Sequence, residues 1–271
     1  MDTVTHKSSV GLYERAVQGN LPTDALWQVE GARTYFAGPL YYNGSHEHGA
    51  PVYLAGLYGA FGLRINGGPW HTVRSAMIPA GVSHELHVGG NPISVLYADA
   101  QMNGQGILSA MVRSADEVEG CLVGQPYAAD MRMLRDLYES PDGRRQLGDV
   151  LDAVLDRGVK TARATIDPRI SRAIPLLSAP AERMGAVSSV ARAVGLSPSR
   201  FQHLFTREVG VRFRRYRAWQ RMRAAIGGIV EGHTFSRAAH EAGFSDQAHF
   251  AHDFRRTFGA PAGISLSRVR A

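Results

Sequence analysis

The sequence predicts an α+β protein of two domains, with a strand-rich N-terminal barrel followed by helices and then an all-helical C-terminal domain. Three observations predict it. Turn signals recur at short intervals through residues 20–110, helical periodicity replaces them further on, and a helical unit then occurs twice in the last third of the chain. At 271 residues the chain is long enough for two ordinary domains, each with its own core.

The N-terminal stretch is dense in Gly, Pro, Tyr and Val, with short apolar runs such as PVYLAGLY and SAMIPAGV. Asn43-Gly44, Asn66-Gly67-Gly68, Ala80-Gly81 and Gly89-Gly90-Asn91 punctuate it. Short strands broken at this rhythm read as a sandwich or barrel. A helix is expected around 128–140, ending before Pro141-Asp142-Gly143. In the next helix Leu147, Val150, Leu151, Val154 and Leu155 share one face, and Gly158 reads as its stop. That stripe is a candidate dimer seam as well as a candidate for packing within the domain. The expected divisions are 1–115 for the strand-rich domain, 116–164 for a helical linker and candidate dimerisation segment, and 165–271 for the C-terminal domain, which TIDPRIS opens.

The C-terminal repeat runs from Ser188 to Gly210 and again from Ser236 to Gly259. Ala191, Gly195 and Ser197 recur 48 residues later as Ala239, Gly243 and Ser245. Phe201, Phe205 and Gly210 recur 49 later as Phe250, Phe254 and Gly259. Each copy has a small residue where a second helix must cross closely and a glycine able to supply a positive φ at a sharp turn. A serine follows at an N-cap position, with Pro198 at the first helical position of the first copy. These are the requirements of a helix-turn-helix whose second helix enters a DNA major groove. The intervening VRFRRYRAWQRMRAAIGGIV reads as one long connecting helix, weakened toward its end by Gly227-Gly228. Such a connector could set two recognition helices about one DNA turn, roughly 34 Å, apart.

Charge agrees with a polyanionic partner for this half only. From Thr165 onward there are 17 arginines and no lysine against 7 carboxylates, whereas residues 1–164 hold 13 basic and 17 acidic residues. No apolar run approaches the ~18 residues of a membrane span, and MDTVTHKSSV lacks a charged-then-apolar leader, so a cytoplasmic location is expected. The single cysteine, Cys121, excludes an internal disulfide framework and any multi-cysteine zinc site.

Helical projection places Ser199, Arg200, Gln202, His203, Thr206 and Arg207 opposite the buried side of the first recognition helix. In the second it turns Ala248, His249, His252, Arg255 and Arg256 outward. Such side chains can donate to guanine O6/N7, pair with adenine or hold phosphates. GLSPSRFQHLFTREVG and GFSDQAHFAHDFRRTFGAPA resemble the two helix-turn-helix units of the AraC/XylS transcription regulators, over about 187–263. The resemblance implies base or backbone contacts from these outward positions, Gln247 included. His252 stands where that family commonly has arginine and Ala248 offers only a methyl group, so the second unit is expected chiefly to grip backbone. GAPAG also shifts the family's usual proline.

Many members of that family carry a cupin-like barrel ahead of the DNA-binding domain. NGSHEHGAP puts His46 and His48 on one side of an extended strand. Pro79-x-Gly81-x-x-His84 resembles the second cupin motif. Metal cupins add a glutamate shortly after the first histidine pair, which GAPVY lacks here. His46, His48 and His84 are therefore a candidate three-histidine site with an open position, suited to Zn, Fe, Ni or Mn. The alternative is an effector pocket whose histidines only make hydrogen bonds. Glu85 and His87 are read as surface neighbours, His240 as lying on a helix ahead of the second turn, and Cys121 as an idle buried thiol.

The resulting expectation is a non-enzymatic, sequence-specific regulator, possible as an activator or a repressor. It would bind double-stranded promoter DNA, and its barrel would sense an unknown small molecule or a divalent metal. A homodimer and contact with RNA polymerase accompany that expectation, and a membrane does not. The competing expectation is a metal-dependent cupin enzyme with a DNA-binding appendage.

Overall fold

The computed structural model describes residues 24–162, 166–177, 187–266 and 269. The stretch 1–10 examined for a leader and Thr165 at the expected domain start lie outside them.

Nine strands come first: β1 (Leu26–Glu30), β2 (Arg33–Pro39), β3 (Tyr42–His46), β4 (Val52–Gly56), β5 (Phe61–Ile65), β6 (Trp70–Val73), β7 (Ser75–Ile78), β8 (His84–His87) and β9 (Pro92–Ala98). A short helix α1 (Gly104–Ser109), the hairpin β10 (Val112–Val118) and β11 (Cys121–Pro126), and helices α2 (Ala128–Glu139) and α3 (Gly143–Thr161) follow. The strands form two antiparallel sheets, ordered β1-β2-β9-β4-β7-β11-β10 and β3-β8-β5-β6. Among the described residues no ladder joins them, so the expected closed barrel is instead a pair of facing sheets. The strand-rich unit also continues to Pro126, past the expected division at 115. The reason is that β10, with RSADE exposed, carries no apolar alternation to announce it.

Period-two alternation sorts the central strands. Val52 and Leu54 of β4 and Ile93, Val95 and Tyr97 of β9 point between the sheets, where Leu63, Ile65 and Leu86 meet them. Tyr53, Ala55, Leu96 and Ala98 point to the other face, against Leu134, Leu137 and Tyr138 of α2 and Leu147, Leu151, Val154 and Leu155 of α3. Each such aliphatic side chain contributes about 1.5–3 kcal/mol when fully buried. The α3 stripe is thus occupied inside the chain and is not free to form the dimer seam considered from sequence. Gly158 does not stop α3, which runs on to Thr161. A Cβ there would lie 2.4 Å from the Ile107 carbonyl oxygen, so the glycine permits close contact with α1. Asn43-Gly44 is likewise no turn: it lies within β3, where the register to β8 shifts between Asn43 and His46.

The remaining helices are α4 (Pro168–Leu177), α5 (Val187–Ala193), α6 (Pro198–Val209), α7 (Phe213–Val230), α8 (Phe235–Glu241), α9 (Gln247–Phe258) and α10 (Ala262–Leu266). The connector α7 is unbroken for 18 residues, roughly 27 Å. Gly227 does not break it and faces Val29 of β1, with room for a Cβ at 3.6 Å. Phe201, Phe205, Phe213 and Tyr216 form one core with α4 and α5. Trp219, Met222, Ile226, Phe250, Phe254 and Phe258 instead extend the core between the sheets. The open end of the sandwich is therefore closed by helices of the C-terminal half.

Candidate functional site

The two repeats fold as matched helix-turn-helix units, α5–α6 and α8–α9. Ala191 and Ala239 are fully buried at the crossings, and Gly195 (φ 73°) and Gly243 (φ 81°) occupy the left-handed region that the turns require. Ser197 caps α6 by accepting from the Arg200 N–H at 3.3 Å, and Pro198 opens the helix. In the second unit the cap is Asp246 rather than Ser245: its carboxylate accepts from the His249 N–H at 2.7 Å. That bond and the Ser245 hydroxyl hold Asp246 below the usual carboxylate range. Gly210 and Gly259 end α6 and α9 in the left-handed conformation.

All six candidate positions of α6 (Ser199, Arg200, Gln202, His203, Thr206 and Arg207) are exposed. So are Gln247, Ala248, His252, Arg255 and Arg256 on α9. His249 differs. Its Nδ1 lies 3.1 Å from the Ser245 hydroxyl and its ring meets Phe244 edge-on at 5.2 Å, which ties it into the turn. The structure adds residues that helical projection of the readers alone passed over. Arg212, at the N-cap of α7, and Arg214, Arg217 and Arg221 on the helix line a groove of about 1220 Å³ with Ser199, Gln202, His203 and Thr206. The signal was present in RFRRYR, a basic run interleaved with aromatics, but the connector reads as a spacer until its exposed side is seen. Arg221 is held in place by Asp253 at 3.3 Å and by the Phe244 ring at 4.5 Å. Phosphate contacts from such a strip would position a duplex, leaving discrimination to the α6 side chains.

The histidines gather elsewhere, between the sheets and beneath α9. The β3–β8 ladder pairs His46 with His84, and their rings stand 4.2 Å apart. His48 lies 4.8 Å from the first and 5.0 Å from the second, and all three residues are buried. His46 Nδ1 and His84 Nδ1 meet the carbonyls of Gly44 (2.7 Å) and Val82 (3.0 Å), while the Tyr97 hydroxyl lies 3.3 Å from His48 Nε2. His84 Nε2 has no hydrogen-bond partner, and His48 Nδ1 makes no bond of normal geometry, with the Thr257 backbone beside it. An unsatisfied buried polar atom costs about 1–3 kcal/mol. Burial lowers His46 to about 4 and His84 to about 3, and holds His48 well below the histidine range, so all three rings are neutral. His87 is exposed, Glu85 is engaged by Tyr42 (2.6 Å) and Arg64 (3.4 Å), and neither joins the cluster. Burial pushes the Cys121 thiol up to about 12, consistent with an idle thiol.

Fold and reader face together define a two-domain helix-turn-helix protein with a sheet-rich N-terminal domain. A family model described as a helix-turn-helix domain matches residues 190–264, and the domain is of the AraC type. The fold is similar to that of ToxT from Vibrio cholerae, with a TM-score of 0.59 at 11% identity over 89% of this chain and 99% of that one. ToxT with a bound unsaturated fatty acid gives 0.58 at 12% identity, covering 92% and 97%. ToxT bound to (E)-4-(8-methylnaphthalen-1-yl)but-3-enoic acid gives 0.56 at 11% identity, covering 88% and 99%. No curated protein sequence matches the chain. Among the described residues no helix is long and apolar enough to cross a membrane.

Proposed function

We propose that this chain is a sequence-specific transcription regulator that binds promoter DNA through α6, α9 and the arginine strip of α7, under control of its N-terminal domain. The observation that carries the reading is the pair of matched, exposed readers on one unbroken helix, in the half of the chain that holds 17 arginines. That ToxT is solved with an unsaturated fatty acid supports an effector-responsive N-terminal domain in this fold. The effector here is an organic small molecule or a divalent metal at His46, His48 and His84. The cavity that His46 and His48 line measures about 30 Å³, against the ~300–1,000 Å³ of ordinary organic-ligand pockets. A space of that size admits an ion and a water but no organic substrate, which counts against the cupin enzyme, and an organic effector would occupy another part of the N-terminal domain. A homodimer and contact with RNA polymerase fit the same role.

Anisotropy titrations of the full chain against its own upstream region and a random duplex, over a range of salt concentrations, test this. Arg200→Ala and His203→Ala should each relax sequence preference by about 1–3 kcal/mol. Arg256→Ala should weaken both duplexes equally and lower the salt slope by about one unit. Equal affinity of the unaltered protein for both duplexes at every salt concentration would overturn the proposal.

A further inference from the structure

We propose that His46, His48 and His84 bind one divalent transition metal ion of the zinc class, and that its occupancy fastens the C-terminal end of α9 to β3. This rests on the regulatory reading above and names its effector class and route.

The donor set is built by the fold. The β3–β8 register places His46 opposite His84, His48 follows two residues on, and their candidate ligand atoms all lie within 4.8 Å of one another. Two of the rings are oriented by backbone carbonyls through Nδ1, which fixes the tautomer with an Nε2 lone pair free for a metal. For His84 that Nε2 is the buried atom without a partner. The remaining ring offers Nδ1, also without a well-formed bond. Three neutral imidazoles with no carboxylate among them suit zinc, iron, nickel or copper, not calcium or magnesium. The space lined by His46 and His48 accommodates an ion and a water rather than a lipid chain.

The same residues form the seat of the second reader. β3 is an edge strand, and its Gly44 N–H donates to the Gly259 carbonyl at 3.0 Å. The Asn43 side-chain amide donates to the Phe258 carbonyl at 2.6 Å. The Phe258 ring lies 5.6 Å from His48, and a Cβ on Gly259 would stand 2.8 Å from His46 Nδ1. Fixing the three rings therefore stiffens the wall on which the end of α9 rests.

The test uses the full chain, stripped with a chelator and titrated with Zn²⁺ alone against a chromophoric competitor, with Mg²⁺ and Ca²⁺ as controls. One tight equivalent of zinc, a nitrogen-rich X-ray absorption shell, and no response to the controls are expected. His84→Gln and His46→Gln should lose the tight equivalent while circular dichroism of the metal-free variants stays that of the parent. If either variant unfolds, His48→Gln and the absorption spectrum of the parent decide. Hydrogen exchange at Gly44 and the last turn of α9 should slow about fivefold or more on zinc addition. Absence of tight zinc, or zinc retained equally by the variants, overturns the site. Unchanged exchange overturns the fastening. Specific DNA binding without zinc binding refutes this inference and leaves the regulator standing, whereas zinc binding without specific DNA binding does the reverse.

Discussion

Replacing Asp99 by alanine is expected to destabilise the protein by about 3–5 kcal/mol, the usual consequence of removing one member of a buried charged network. The Asp99 carboxylate accepts from the Tyr216 hydroxyl at 2.7 Å and the Gln220 amide at 2.5 Å, and lies 4.0 Å from the Arg223 guanidinium. Arg223 in turn donates to Thr34 Oγ1 and to the carbonyls of Gly31 and Arg33, and all four network side chains are buried. Alanine would leave a guanidinium with no carboxylate in a region that water does not reach. It would also loosen α7 from the sheet, because the network is the polar bond between them. Denaturant titration checks the loss. Tyr216→Phe, which removes one hydroxyl bonded to the carboxylate and keeps the ring and the charge pair, should cost less, about 1.5–3 kcal/mol. Equal effects of the two substitutions would mean that the charge balance is irrelevant.

The second large effect is acid lability of the metal-free chain. Histidine in an unfolded chain titrates near its ordinary value of 6.5, whereas burial lowers His46 to about 4 and His84 to about 3. Between those values the unfolded state binds more protons, so stability is complete above pH 6.5 and falls as pH drops through the folded pKa values. Each shift amounts to on the order of 3 kcal/mol. Arg215 opposes charging of His48 and Glu85 assists charging of His46, but burial is the larger cause at both. Denaturation midpoints should fall steadily from pH 7 toward pH 4.5. The His46→Gln/His84→Gln variant should show a flatter profile. A parent profile as flat as the variant's would contradict the assignment.

The readers were legible because their signals are local. A glycine at the turn, alanine at the crossing and two phenylalanines four apart occur twice, and each constrains only its own unit. The histidine pair at 46 and 48 and the later His84 were legible as residue types in extended segments, and β3–β8 pairing brings them together. What sequence could not reveal depends on contacts between distant segments. Gly158 reads as a helix stop until Ile107 is seen against it, and Asn43-Gly44 reads as a turn until β8 pairs with it. Arg223 looks like one more cation of a basic helix, yet it bonds to the Gly31 carbonyl 192 residues earlier in the chain. Periodicity likewise identified the α3 stripe but not its occupant, which is the chain's own sheet. The continuation of the strands past 115 was not legible because the middle five residues of β10 are exposed and only Val112 at its start is buried, so its place at the sheet edge follows from pairing with β11.

The seam between sheets and helices also carries its own optical reporter. Trp27 donates from its indole N–H to the Ser265 carbonyl at 2.9 Å, across the seam. Trp219 lies within it, 4.8 Å from the Tyr97 ring, with its indole nitrogen unbonded. The third tryptophan, Trp70, is 47% exposed and remote in role. Opening the seam would wet two indoles and leave the third as it is. The emission of the unlabelled protein should therefore move to longer wavelength in proportion to the open population, so that effectors can be screened by fluorescence without attaching a dye.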